Sequence, residues 1–193
     1  MTAIYTPGNW LDPVDWIQVF GQDRPVEIDI GCGKGGFLLW AARTRPQHNF
    51  IGIERQNDRL RKVDRKLQRA GLTNARLLRI EAGYFIAKLV PDHSVAAYHI
   101  LFPDPWPKRR HHPRRLFQPA FVAELYRTLE TGGTVHAATD DPDYFERICR
   151  VMGDSGKFRQ TTAEPLPAEA RTEFEKIFLA QSKQIGRARF VTG

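Results

Sequence analysis

Short apolar runs alternate with stretches of helical spacing along most of the chain. Residues 26–30 (VEIDI), 49–54 (NFIGIE), 75–80 (ARLLRI) and 94–102 (SVAAYHILF) have the length and β-branched content of strands. A helix is expected over residues 37–43, stopping near Pro46, and another from Asn57 or Asp58 to Ala70, with Gly71 placed to end it. Residues 117–129 repeat apolar positions at helical spacing, and Gly132-Gly133 turns the chain into a fifth strand, 134–139. Beyond Asp141 the pattern predicts a helix to about Met152, a strand near 157–162, a Pro-rich connection, a short helix opening at Thr172 and a last strand, 185–191. Such β-α alternation implies a mostly parallel sheet with helices on both faces and ligands at the carboxyl ends of the strands. The expected architecture is a seven-stranded α/β sheet whose last two strands form a hairpin-like edge, the last strand antiparallel. Repeats, low-complexity tracts and interdomain linkers are absent from the sequence. Residues 1–193 are therefore expected to form a single domain, on which an aromatic-dotted leader, residues 1–24, packs.

Composition narrows the class. At 193 residues, with 41% hydrophobic and 26% charged residues, the chain matches a folded globular domain. Cys32 and Cys149 are too few for a disulfide framework, and no run approaches the roughly 18 apolar residues of a membrane helix. The opening MTAIYTPGNWLDP lacks both a basic start and an apolar stretch, which points to the cytoplasm and away from a membrane. Lys and Arg exceed Asp and Glu by 29 to 22, a net charge of +7, so polyanions are the natural partners.

The first strand runs straight into GCGKGG. Gly31, Gly33 and Gly36 fit the dinucleotide fingerprint G-x-G-x-x-G, and Gly31, Gly33 and Gly35 fit the G-x-G-x-G loop of class I methyltransferases. Glycine allows the tight turn and the close backbone approach in either case. Glu54, about 20 residues on at the end of the second strand, suits a ribose diol in both classes. The acidic residues break the tie. A dinucleotide presents a pyrophosphate, whereas S-adenosylmethionine presents an ammonium and a sulfonium. Asp29, two residues before Gly31, would oppose the first and attract the second. Glu81 followed by Ala82 closes the third strand as an acidic-then-small pair, and Asp104 closes the fourth. Singly, each is more often a solvated residue; jointly, carboxylates at four successive strand ends favour S-adenosylmethionine over NAD(P). An NAD(P)-dependent oxidoreductase and a non-catalytic RNA-binding module remain the rival readings.

The segment FPDPWPKRRHHPRRL, residues 102–116, resembles the signature of the bacterial tRNA (guanine-N7)-methyltransferases, a class I S-adenosylmethionine-dependent family. GIE at 52–54, TDD at 139–141 and TEFE at 172–175 extend the resemblance over most of the chain. It implies a Rossmann-like class I domain that methylates N7 of a guanine in the variable loop of tRNA. It implies cofactor contacts at Asp29, Glu54, Glu81 and Asp104, with Asp104 catalytic, and Gly31, Gly33 and Ala82 complete the cofactor set read from the glycine loop and the third strand end. Substrate contacts are implied at Lys108, Asp140, Thr172, Glu173, Phe174 and Glu175.

The residues support such chemistry on their own terms. Guanine N7 has an in-plane lone pair and no proton, so attack on a sulfonium methyl needs no strong base, and a carboxylate such as Asp104, Asp140 or Glu175 would stabilise the cation formed. Phe102 and Trp106 are candidates to stack on an extruded base, with packing under the proline-rich loop the alternative for Trp106. Lys108, Arg109, Arg110, Arg114 and Arg115 make a compact basic patch suited to RNA phosphates. Arg55, Arg59, Arg61, Lys62, Arg65, Lys66 and Arg69 around the second helix add cationic surface that also suits RNA phosphates, although a basic helix is more often a solvated face. Adjacent His111 and His112 lack metal-ligand spacing, so no metal is expected. The oligomeric state is left open.

Overall fold

The computed structural model describes residues 2–193; Met1, the first residue of the expected leader, lies outside them. Seven strands form one sheet: β1 (Val26–Ile30), β2 (Asn49–Ile53), β3 (Ala75–Leu78), β4 (Val95–Leu101), β5 (Leu129–Thr139), β6 (Phe158–Thr161) and β7 (Gly186–Thr192). Their spatial order is β3-β2-β1-β4-β5-β7-β6. The first five pair in parallel, and β7 runs antiparallel to both β5 and β6. The expected hairpin-like antiparallel edge is present, with β7 inserted between β5 and β6. Ala188 and Phe190 of β7 alternate into the core, whereas no residue of β6 is fully buried, so the more apolar strand takes the inner place.

Helices cover both faces. On one, α2 (Gly36–Thr44) and α3 (Asn57–Arg69) bury Phe37, Leu38, Leu60, Val63 and Leu67 against Phe50 and Leu77. On the other, α1 (Trp16–Phe20), α4 (Ala82–Tyr84) with the π-helical turn Phe85–Leu89, α5 (Pro119–Thr128) and α6 (Pro142–Asp154) pack on Ile28, Ile51, Tyr98 and Val135. The last helix, α7 (Glu173–Ala180), lies between β6 and β7 in sequence. The segment before β1 adds to the open edge of the sheet: Leu77 N–H donates to Ala3 O and Tyr5 N–H to Leu77 O, each at 2.9 Å, while Asp64 Oδ1 accepts from Ala3 N at 2.6 Å.

The strand VEIDI alternates apolar and acidic residues, yet all five positions are buried because helices cover both faces of β1. Val26, Ile28 and Ile30 join one core. Glu27 and Asp29 face the α2 side, where Glu27 meets Arg45 Nη1 at 2.5 Å, His99 Nε2 at 2.6 Å and His48 Nδ1 at 2.8 Å. Burial works against its ionisation, but the His99 hydrogen bond and the charges around it hold the Glu27 pKa down to about 2.

Candidate active site

Parallel strands end together, and the loops leaving β1, β2, β3 and β4 open a cleft of about 990 Å³ at that edge. Of the glycine loop Gly31 is in its lining, whereas Gly33 and the preceding Asp29 are not. Gly31 and Gly33 sit at φ of 78° and 56°, where a side chain would be strained, and the N–H groups of Gly31 and Cys32 both donate to Ile53 O at 2.9 Å, tying the loop to the end of β2.

Of the residues singled out in the sequence, Gly31, Glu54, Glu81, Ala82, Asp104 and Phe174 line this cleft together. Glu54 is nearly buried; its Oε1 accepts from Gln56 N at 2.8 Å, and Oε2 lies 3.8 Å from Arg59 Nη1. Glu81 caps α4 with both oxygens, accepting from Gly83 N at 2.9 Å and Tyr84 N at 2.7 Å, so its carboxylate is already committed. Asp29 is 3% exposed, and its Oδ2 has no hydrogen-bond partner among the described residues. Burial, reinforced by the charge of Glu54, pushes its pKa up to about 8.

The fourth wall is the loop after β4. Phe102 and Trp106 adopt left-handed backbone, φ 57° and 45°, uncommon for large side chains, and the loop is pinned to hold them. Phe102 N–H donates to Ala138 O at 2.7 Å, and Arg115 Nε donates to Pro105 O at 2.7 Å. Asp104, exposed between them, accepts no hydrogen bond from the described residues. Trp106 meets His111 edge-on at 5.7 Å and carries the Arg114 guanidinium over its ring at 5.2 Å.

The uniform basic patch expected at 108–115 is corrected here. Arg115 is 4% exposed, ion-paired with Asp143 at 2.6 Å and stacked on Tyr144, so it braces the loop instead of meeting phosphates. Lys108, Arg109 and Arg110 remain exposed where the chain winds into a six-residue 3₁₀ helix, Arg109–Arg114, and Lys108 lies outside the cleft lining.

Of the remaining substrate candidates all but Phe174 lie outside the lining. Asp140 is held by Lys183 Nζ at 2.6 Å. Thr172 caps α7, its Oγ1 accepting from Glu175 N at 3.1 Å, and Glu173 pairs with Lys34 of the glycine loop at 3.3 Å and Lys176 at 3.5 Å. Glu175 is 1% exposed and paired with Arg187. Only Phe174, 47% exposed, reaches the cleft, and its ring stacks on Phe178, which in turn tilts against Phe102 at 5.6 Å. Sequence reasoning passed over Arg79, which lines the cleft beside Arg55 and Arg59. Its place two residues before Glu81, at a strand end, was the available signal.

A family model described as a methyltransferase matches residues 23–188. The tRNA (guanine-N(7)-)-methyltransferase of Aeromonas hydrophila is 38% identical over 79% of this chain, and that of Nitrosococcus oceani is 36% identical over 92% of this chain and 76% of its own. The chain spans 64% of the Aeromonas relative and 61% of the one from Psychromonas ingrahamii. Among solved structures, the 16S rRNA methyltransferase KamB superposes with a TM-score of 0.67 at 17% identity, covering 92% of this chain and 91% of its own. A SAM-dependent methyltransferase from Aquifex aeolicus superposes with a TM-score of 0.61 at 15% identity, covering 92% and 88%. These likenesses concern the fold, which is that of the class I methyltransferases. The sequence matches go further, and by them the chain belongs to the tRNA (guanine-N7)-methyltransferase family.

Proposed function

We propose that this protein transfers a methyl group from S-adenosylmethionine to N7 of a guanine in the variable loop of tRNA, as a single domain working in the cytoplasm. The observation that carries the reading is the pair of carboxylates around the glycine loop, Asp29 without a partner among the described residues and Glu54 at the cleft wall. A buried, uncompensated carboxyl beside a glycine loop fits a cofactor bearing cationic groups and a ribose diol, and opposes a pyrophosphate. Asp29 would receive the cationic end, Glu54 the ribose hydroxyls, and Ala82 beside the helix-capping Glu81 the base. When bound, S-adenosylmethionine supplies an electrophilic methyl on a positively charged sulfur.

The chain's own residues then have two tasks, orientation and charge. N7 carries its lone pair in the ring plane and no proton, so no residue need act as a strong base. Methylation leaves positive charge on the guanine, spread toward N1 and the exocyclic amine, and a carboxylate facing those donors stabilises it as it develops. Of the three candidate carboxylates, Asp140 and Glu175 are already ion-paired with Lys183 and Arg187. Asp104 lines the cleft with no ion pair among the described residues and is the residue to which we assign this role. Phe102, Trp106 and Phe174 offer aromatic faces at the same mouth. Among the described residues no helix is long and apolar enough to cross a membrane.

The direct test is incubation with unmodified tRNA and labelled S-adenosylmethionine followed by nucleoside analysis. Label in 7-methylguanosine is expected. Tight binding of NAD(P)H with no affinity for S-adenosylhomocysteine would overturn the reading in favour of an oxidoreductase, and RNA binding without methyl incorporation would reduce the protein to a binding module.

A further inference from the structure

Residues 55–69 contain seven Lys or Arg and two Asp, a surplus of five in a chain whose net charge is +7. The fold turns that surplus outward. Leu60, Val63 and Leu67 bury the inner face of α3, and Asp64 is occupied by the backbone of Ala3 and the side chains of Thr2 and Gln68. Arg55, Arg61, Lys62, Arg65 and Arg69 are left exposed without a carboxylate or hydrogen-bond partner for their side chains among the described residues. Like charges at i and i+4, such as Arg61 with Arg65 and Arg65 with Arg69, repel, so this face is held against its own electrostatics by the apolar one.

The face also begins at the cleft. Arg55, Arg59 and Arg79 all line the candidate active site, with Arg79 Nε hydrogen-bonded to Arg55 O at 3.2 Å. From there α3 runs 13 residues, about 20 Å, long enough to follow several consecutive phosphates. The loop at 108–115, the more obvious basic segment, keeps fewer free cations, because Arg115 is buried in an ion pair and Arg114 covers Trp106. We propose that the outer face of α3, entered past Arg55 and Arg79, is a principal track for the phosphodiester backbone of the substrate RNA. The inference rests on the tRNA-methylating function proposed above and extends it to the surface that holds the RNA body.

The test is the full chain carrying Arg61→Gln, Lys62→Gln and Arg65→Gln, three positions away from the cleft lining. Each neutralised phosphate contributes roughly 0.7–0.9 to the slope of log K against log salt, so the triple variant should lose about 2–3 of slope. If both proteins converge at 1 M salt, tRNA affinity at 0.1 M should fall roughly 100- to 500-fold. S-adenosylhomocysteine affinity by calorimetry should be unchanged, and a charge-keeping variant, Arg61→Lys, Lys62→Arg and Arg65→Lys, should bind tRNA like the wild type. A triple glutamine variant with wild-type slope and affinity, in a preparation whose wild type forms 7-methylguanosine, would overturn the track and leave the methyltransferase reading intact. A wild type that neither binds nor methylates tRNA would overturn both. Loss of tRNA binding in the charge-keeping variant would overturn the electrostatic account specifically.

Discussion

Asp29 gives the sharpest quantitative prediction, because its environment is defined by burial and one neighbour. The perturbation is Asp29→Asn, nearly isosteric and unable to titrate. In the folded protein burial, with the charge of Glu54 added, raises the Asp29 pKa from 3.8 to about 8, a difference of about 5–6 kcal/mol between ionised and neutral forms. The direction follows from linkage. A folded state that keeps a proton which the unfolded chain releases is most favoured below pH 4 and loses that advantage as pH rises to about 8. Wild-type stability should therefore fall relative to the variant by about 4 kcal/mol between pH 5 and pH 9. The variant's own cost, a buried amide short of partners at about 1–3 kcal/mol, is independent of pH and cancels from that difference.

Denaturant unfolding of both proteins at the two pH values measures it, and calorimetry adds a second readout. If a cationic ligand group settles beside Asp29, wild-type binding of S-adenosylhomocysteine near pH 7 should release close to one proton, detectable by comparing buffers of different ionisation enthalpy, and the variant should release none. A stability gap between the two proteins that is the same at pH 5 and pH 9 would refute the reasoning, because it would mean that Asp29 is ionised and solvated in the folded protein.

Glu54→Ala should weaken S-adenosylmethionine binding by about 1–3 kcal/mol, the scale of a lost charged hydrogen bond, and tight binding that survives the change would remove Glu54 from the ribose. Asp104→Asn should cut single-turnover methylation on the order of 10²–10³-fold with tRNA affinity nearly unchanged; turnover close to wild type would make Asp104 a loop residue only. Arg115→Ala should cost about 1–3 kcal/mol through the lost hydrogen bond to Pro105 O. That is a melting shift of roughly 2–4 °C per kcal/mol, whereas Lys108→Ala should leave the melting temperature alone and weaken tRNA binding. Equal melting of the two variants would contradict the bracing role of Arg115.

Most strands and the main helices were legible because β-α alternation carries both period and length. What escaped were elements with conflicting local signals. The turn over Ala82–Leu89 contains Gly83 and buries Phe85, Ile86 and Leu89, a spacing too short and too irregular to separate from a loop. Its one clear mark is Glu81, read as a ligand contact when it is first a helix cap. The short α1 carried a readable signature, Asp15 accepting from Ile17 N at 2.8 Å and Gly21 at φ 73° closing it, but five residues are too few for periodicity to stand out. The 3₁₀ helix Arg109–Arg114 has Pro113 inside it, which argues for a loop by composition. The strand order β5-β7-β6 depends on which strand has the more apolar face, a comparison made in three dimensions.

The candidate site was legible as a set of residue types, and less so as a set of roles. Glu27 and Asp29 show the reason. They lie two residues apart on one strand, point to the same side and are equally hidden, so no property of VEIDI separates them. Their partners come from elsewhere: Arg45 from the residue that ends α2, His48 from the turn before β2, His99 from β4. These converge on Glu27 and fix it as an ionised part of the fold. One row nearer the carboxyl end of β1, none of these three side chains pairs with Asp29, which is left beside Glu54 with an oxygen unpaired among the described residues. A buried carboxyl with no internal partner is a standing cost to the protein alone. The cost makes sense if a cationic ligand relieves it, and that difference between two neighbouring carboxylates separates scaffold from site in this molecule.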